Sequence, residues 1–164
     1  MAYAEGELRG IGGWLAFFLV TLGVFTPLSS IVSVAMLSGE AEIAITYGTA
    51  WDTLIAWVWV MAGATAALAW FATWRMIARQ NWLSVRITIA VLWAIAAITL
   101  IGEPLLVSLM TGLSFAELVG AEGIGLIRPL VYCTIWTLYL LQSVRVANTY
   151  RGDPEDDGLA EVFE

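Results

Sequence analysis

The chain has 164 residues, 60% hydrophobic and 13% charged, with a mean hydropathy of +0.85; a soluble domain has about 45–50% apolar and about 25% charged residues. This excludes an ordinary water-soluble fold and, at this length, suits one compact membrane unit. All seven basic residues are arginines and histidine is absent, which removes the usual haem and zinc ligands and imidazole acid–base chemistry, while scattered arginines and a net charge of −7 argue against a nucleic-acid surface.

Four apolar segments follow one another, at about 11–37, 53–77, 87–110 and 124–146. Each reaches the roughly 20 residues that cross about 30 Å of hydrocarbon as a helix. The first is too long for the apolar region of a signal peptide and lacks a small-x-small cleavage site, so it is retained as a helix. Segment two contains MAGATAALAW (Met61–Trp70), where Gly63 and Ala67, or Ala62 and Ala66, place small residues four apart. That spacing lets another helix approach closely, within the bundle or from a partner. Cys133, the single cysteine, lies in segment four and reads as a small buried residue.

The connections decide the topology. Arg9 precedes segment one, Arg75, Arg79 and Arg86 bracket the connection between segments two and three, and Arg145 and Arg151 follow segment four. The other two connections carry Glu40, Glu42, Asp52, Glu117 and Glu122 and no arginine. The positive-inside rule places both termini in the cytoplasm. Ser114 and Glu117 have the spacing of a capping box, Asn81 suits the N-cap of helix three, and Thr49–Asp52 suits the start of helix two. Trp14, Trp51, Trp74, Trp82 and Tyr150 fall near boundaries where amphipathic rings anchor. After Arg151 the acidic, Gly- and Pro-containing tail reads as disordered.

Two charges sit within the apolar segments. Glu103 follows Arg86 by 17 positions, and Arg128 precedes Arg145 by 17. At about 1.5 Å per residue both rise about 25 Å above a cytoplasmic arginine, on consecutive antiparallel helices. The expectation is an intramembrane Glu103–Arg128 ion pair, or a ligand site built around the two. Each precedes a proline, Pro104 or Pro129, and Pro27 stands at a comparable height. Prolines inside helices free carbonyls that persist at membrane depth only where protein or water satisfies them. With Thr26, Ser29, Ser30 and Ser108 nearby, these features predict an outward polar pocket formed by helices one, three and four.

GIGGWL (Gly10–Leu15), Pro27 and SVRVANTY (Ser143–Tyr150) together resemble the four-helix bacterial inner-membrane family catalogued as domain of unknown function 2569. The resemblance covers nearly the whole chain to Tyr150 and implies a bacterial inner-membrane location without an activity. Both motifs would meet at the cytoplasmic face, where a lock between first and last helices competes with a partner contact through Trp14, Arg145, Asn148 and Tyr150.

The sequence therefore predicts an all-α membrane protein: a four-helix transmembrane bundle over residues 1–151, both termini cytoplasmic, followed by a disordered acidic tail over 152–164. No phosphate-cradling loop, nucleophile elbow or metal-ligand spacing is present in the sequence, so neither enzymatic activity nor a cofactor is expected. The expected role is an accessory or interaction subunit of a bacterial inner-membrane complex. Its partners would be membrane lipids and another membrane protein or further copies of the chain, with no nucleic acid. The alternative is a small transporter or ligand-binding protein using the pocket around Glu103 and Arg128.

Overall fold

The computed structural model describes residues 9–39 and 48–151. Among them every regular element is helical. In chain order these are α1 (Trp14–Val20), a π turn (Thr21–Phe25), α2 (Thr26–Ser38), α3 (Thr49–Ala78) and α4 (Trp82–Ala97). There follow a second π turn (Ile98–Gly102), α5 (Glu103–Thr111), α6 (Phe115–Glu122), a 3-10 turn (Gly123–Leu126), α7 (Ile127–Gln142) and α8 (Val144–Tyr150). Three helical runs, Trp14–Ser38, Thr49–Ala78 and Trp82–Thr111, are long and apolar enough to cross a membrane. The bent pair α7–α8 makes a fourth if it counts as one span. We call these runs helices one to four.

The two π turns share a cause. Each ends two residues before a proline, Pro27 or Pro104. A widened turn accommodates a residue that has no N–H and whose ring crowds the preceding turn. Pro129 is different. It lies in the first turn of α7, where the missing donor has no intrahelical acceptor to lose, so the helix-interior proline expected in helix four is absent.

Segment four and the start of helix two depart in detail from the sequence expectation. Segment four is not one helix from 124 to 146. It breaks after Gln142, and α8 leaves α7 at 63°. Ser143 adopts extended backbone (φ −70, ψ 123), and its side chain accepts from Val146 N–H at 3.5 Å to start α8. Helix two starts at Thr49, as expected, but behind Gly48, whose φ of 56 and ψ of −132 suit glycine alone, and no side chain caps it. Trp51 is buried rather than held at an interface. Asn81 does cap helix three, accepting from Ser84 N–H at 2.9 Å, and the Ser114/Glu117 capping box is complete.

Packing is uneven along the bundle. The core cluster, including Leu15, Phe18, Ala69, Ala72, Met76, Val85, Leu92, Trp136, Leu140 and Tyr150, draws on the start of helix one, the end of helix two, the start of helix three and the end of helix four. Gly23 on helix one lets helix two lie close: a Cβ there would stand 2.9 Å from Thr73 Cγ2. Trp136 anchors an aromatic group with Phe17, Phe18, Tyr132 and Tyr139. Large apolar side chains such as Phe25, Trp57, Trp59, Trp70 and Trp74 face outward. Such a surface suits acyl chains, which are as apolar as the side chains themselves.

The described ends of the chain meet the turn between α3 and α4. Gly10 N–H donates to Thr149 Oγ1 at 2.9 Å, Tyr150 O–H donates to Met76 O at 2.8 Å, and the Arg151 guanidinium lies 4.2 Å from the Trp82 ring centroid. These contacts gather Arg9, Arg75, Arg79, Arg145 and Arg151 toward one end of the bundle. Glu103 and α6 lie toward the other.

Candidate functional site

The site is built around the two stretches that contain the π turns. In helix one, Thr26 N–H and Thr26 Oγ1 both donate to Thr21 O, the latter at 3.0 Å. Pro27 cannot supply the donor that Gly23 O would receive in a regular helix. That carbonyl instead accepts Trp70 Nε1–H from helix two at 2.9 Å. One turn on, the Ser29 and Ser30 hydroxyls donate to Thr26 O at 2.9 and 3.1 Å. In helix three, Glu103 N–H donates to Ile98 O across the π turn, and Pro104 follows.

Glu103 is half-buried and lies between two chambers. The larger, about 340 Å³, is a half-open space bordered by helices one, two and three and includes Thr26, Ser29, Ser30, Ser33, Thr65 and Thr99. The other, about 290 Å³, lies toward α6, with Leu118, Gly125 and Pro129 across from Thr99 and Glu103. A third space of about 200 Å³ between helices one, three and four is mostly apolar, lined by Leu22, Leu92, Ala96 and Cys133 among others, with Thr26 and Thr99 at its edge. The larger chamber therefore uses helix two where helix four was expected, while Pro129 brings helix four to the second. Ser108 is not part of it. Its hydroxyl donates to Leu113 O at 2.7 Å and closes the end of α5.

Arg128 is exposed at the second position of α7, and Pro129 rather than Arg128 lines the chamber beyond Glu103. Glu103 has an interaction of its own. Glu103 and several hydroxyl-bearing side chains thus line the larger chamber together, and Arg128 is not among the lining residues of either chamber.

At the opposite end the two glycine-rich and arginine-containing motifs do meet. Gly13 (φ 55, ψ −131) caps α1 in a conformation open to glycine alone, so the entry is specified backbone rather than a flexible lead-in. A Cβ on Gly12 would lie 2.8 Å from Arg145 Nη1, which places the guanidinium over the entry. Thr149 joins the motifs, donating to Arg145 O at 2.7 Å and accepting from Gly10 N–H. Of the four expected contact residues, Trp14 is 68% exposed and meets Phe17 edge-on at 5.7 Å. Arg145 and Asn148 are half-buried. Tyr150 is 1% exposed and belongs to the bundle's own closure.

A family model described as protein of unknown function, DUF2569, matches residues 8–151. The chain belongs to this family. No curated protein and no solved structure matches the chain. In this DUF2569 chain the matched region contains the glycine entry, both runs with π turns and the closing helix. Sequence reasoning missed Trp70, Thr65, Thr99 and Thr149. Trp70 was hidden among lipid-facing tryptophans, and the position of Pro27 alone could not say which neighbour completes Gly23 O. Thr149 stood within the quoted closing motif, and its partner is a backbone N–H that carries no side-chain signal.

Proposed function

We propose that this multi-pass protein is a non-enzymatic interaction subunit of a bacterial inner-membrane complex, with the arginine-rich end in the cytoplasm. One observation carries the reading. On helix two, Ala62, Thr65, Ala66 and Ala69 are buried, whereas Gly63, Ala64 and Ala67 are exposed. A Cβ added at Gly63 meets nothing within 4 Å. Trp59, Gly63, Ala67, Trp70 and Trp74 follow one helical stripe, so a shallow trough of small residues lies between exposed indoles. A second transmembrane helix seated there would bring its backbone close, which is the main source of helix association in lipid.

Purification in mild detergent, followed by native mass spectrometry, tests this. A defined partner recovered with wild type and lost with Gly63→Leu, at equal thermal stability, supports the reading. A solitary monomer from both would overturn it, and a second copy held through the trough would replace the accessory role with self-association. Sidedness has its own test. Cys133 is buried, so single cysteines at Asn81 and Leu113 should label with little background, the first from the cytoplasmic side and the second from outside.

A further inference from the structure

The arginine-rich end has a charge imbalance independent of the trough on helix two. The carboxylates among the described residues are Asp52, Glu103, Glu117 and Glu122. They stand in the first turn of helix two, at the start of α5 and in α6, all away from Arg75, Arg79, Arg86, Arg145 and Arg151. No acidic residue occurs between Asp52 and Glu103, or between Glu122 and Asp153. Along helix three the 17 positions from Arg86 to Glu103 span about 25 Å, far beyond the roughly 4 Å of an ion pair. Among the described residues this end is therefore positive without an offsetting carboxylate.

Two of the arginines are organised around one indole. Trp82, the first residue of α4, packs against the buried core cluster, and the Arg151 guanidinium lies 4.2 Å from its ring centroid. Arg151 is held from behind. Its N–H donates to Ala147 O at 2.9 Å, and the residue before it is the buried Tyr150, bonded to Met76 O. A stacked guanidinium meets the ring with its face and keeps its in-plane N–H donors for an anion. Arg86, also exposed, follows Trp82 by four positions and so shares its face of α4. That step is about 6 Å along the axis, which fits within a headgroup layer roughly 5–7 Å deep, and arginines near helix ends snorkel toward that layer.

Beyond Arg86 the surface is apolar. Trp93 Nε1–H donates to Thr137 Oγ1 at 3.2 Å, which fixes the level at which helices three and four meet. One turn nearer the arginines, Ala90 on helix three and Leu141 on helix four are both exposed. An occupant that meets both surfaces is anionic at one end and apolar along the rest. The chain's own acidic stretch, residues 153–157, matches the charge but not the apolar surface. We propose that this end binds an acidic phospholipid, its phosphodiester on the Arg86 and Arg151 guanidiniums beside Trp82 and an acyl chain along Ala90 and Leu141. Arginine meets phosphate oxygens with paired N–H donors, and basic pockets at the ends of transmembrane helices recognise such headgroups. A zwitterionic lipid fits less well, because its own cation returns positive charge to the site.

The test titrates the full chain in detergent with phosphatidylglycerol or phosphatidylcholine and reads bound lipid by native mass spectrometry. Phosphatidylglycerol should fill a saturable site at least about fivefold more tightly than phosphatidylcholine, since each arginine beside an anionic group contributes roughly fivefold. Arg86→Gln and Arg151→Gln should each weaken phosphatidylglycerol by about fivefold, and together by about 25-fold, with phosphatidylcholine unchanged. Arg128→Gln, at the opposite end, removes the same net charge and should leave the affinity as it is. Water-soluble glycerophosphoglycerol, which has the headgroup without acyl chains, should compete only at concentrations far above those of the lipid. Equal affinity for the two lipids, an equal loss with Arg128→Gln, or equal competition by the soluble headgroup would each overturn the proposal. Binding that appears only when Asp153→Asn, Glu155→Gln, Asp156→Asn and Asp157→Asn are combined would give the site to the chain's own acidic stretch and overturn it as well. The comparison of lipids needs no variant, so a folding defect in an arginine variant leaves the proposal open to refutation.

Discussion

Tyr150→Phe removes a single hydrogen bond and nothing else of size. The phenol donates to Met76 O at 2.8 Å, with Tyr150 1% exposed and Met76 fully buried. Helix two ends at Ala78, so Met76 O is among the last four carbonyls, which the helix itself cannot satisfy. The tyrosine from the far end of the chain caps it. Without the phenol a buried acceptor is stranded, at a cost of about 1–3 kcal/mol, equivalent to about a 5- to 150-fold shift in the unfolding equilibrium. For a chain of this size that is about 2–12 °C in Tm, at about 2–4 °C per kcal/mol. Thermal unfolding of the purified protein in detergent reads it. Tyr150→Ala should cost more, by the about 3–5 kcal/mol of an aromatic deletion in a core. A Tyr150→Phe protein as stable as wild type would show that water or another donor serves Met76 O, and the end-to-end closure described here would be wrong.

Three other outcomes follow from single contacts. Trp70→Phe should destabilise by about 0.5–1.5 kcal/mol by orphaning Gly23 O, and less in a Pro27→Ala background, where the chain regains its own donor; a thermodynamic cycle over the four proteins measures the coupling. Gly13→Ala should cost about 1–3 kcal/mol for a backbone conformation reserved to glycine, whereas Gly12→Ala displaces only the flexible tip of Arg145 and should cost under about 1 kcal/mol, both read as Tm. Hydrogen bonds from Ser114 hold the Glu117 carboxyl below its ordinary pKa of 4.5. Because the folded value is the lower one, its support for α6 is complete above the unfolded pKa and is lost as pH falls through the folded one. Amide-exchange protection of α6, corrected for intrinsic rates, should therefore decline in acid below about pH 4.5, and Glu117→Gln should flatten that decline.

Much of the architecture was legible in the sequence because its causes are local. Apolar run length and the caps at Asn81 and Ser114 each act over a few residues. The meeting of Gly10–Gly13 with Ser143–Tyr150 was expected from the topology read in the sequence, in which four crossings return the chain to its starting side. What the sequence by itself could not decide were matters of azimuth, meaning which face of each helix turns inward. Glu103 and Arg128 share a height by residue count, yet their directions depend on the π turns and on the entry into α7 through a 3-10 turn, which rotate side chains without changing the hydropathy pattern. The partner of Gly23 O, the inward turn of Tyr150 and the assignment of helix two to the polar chamber are likewise set by contacts between residues 47 to 74 positions apart. Composition and periodicity say that a face must be covered; only packing in three dimensions selects what covers it.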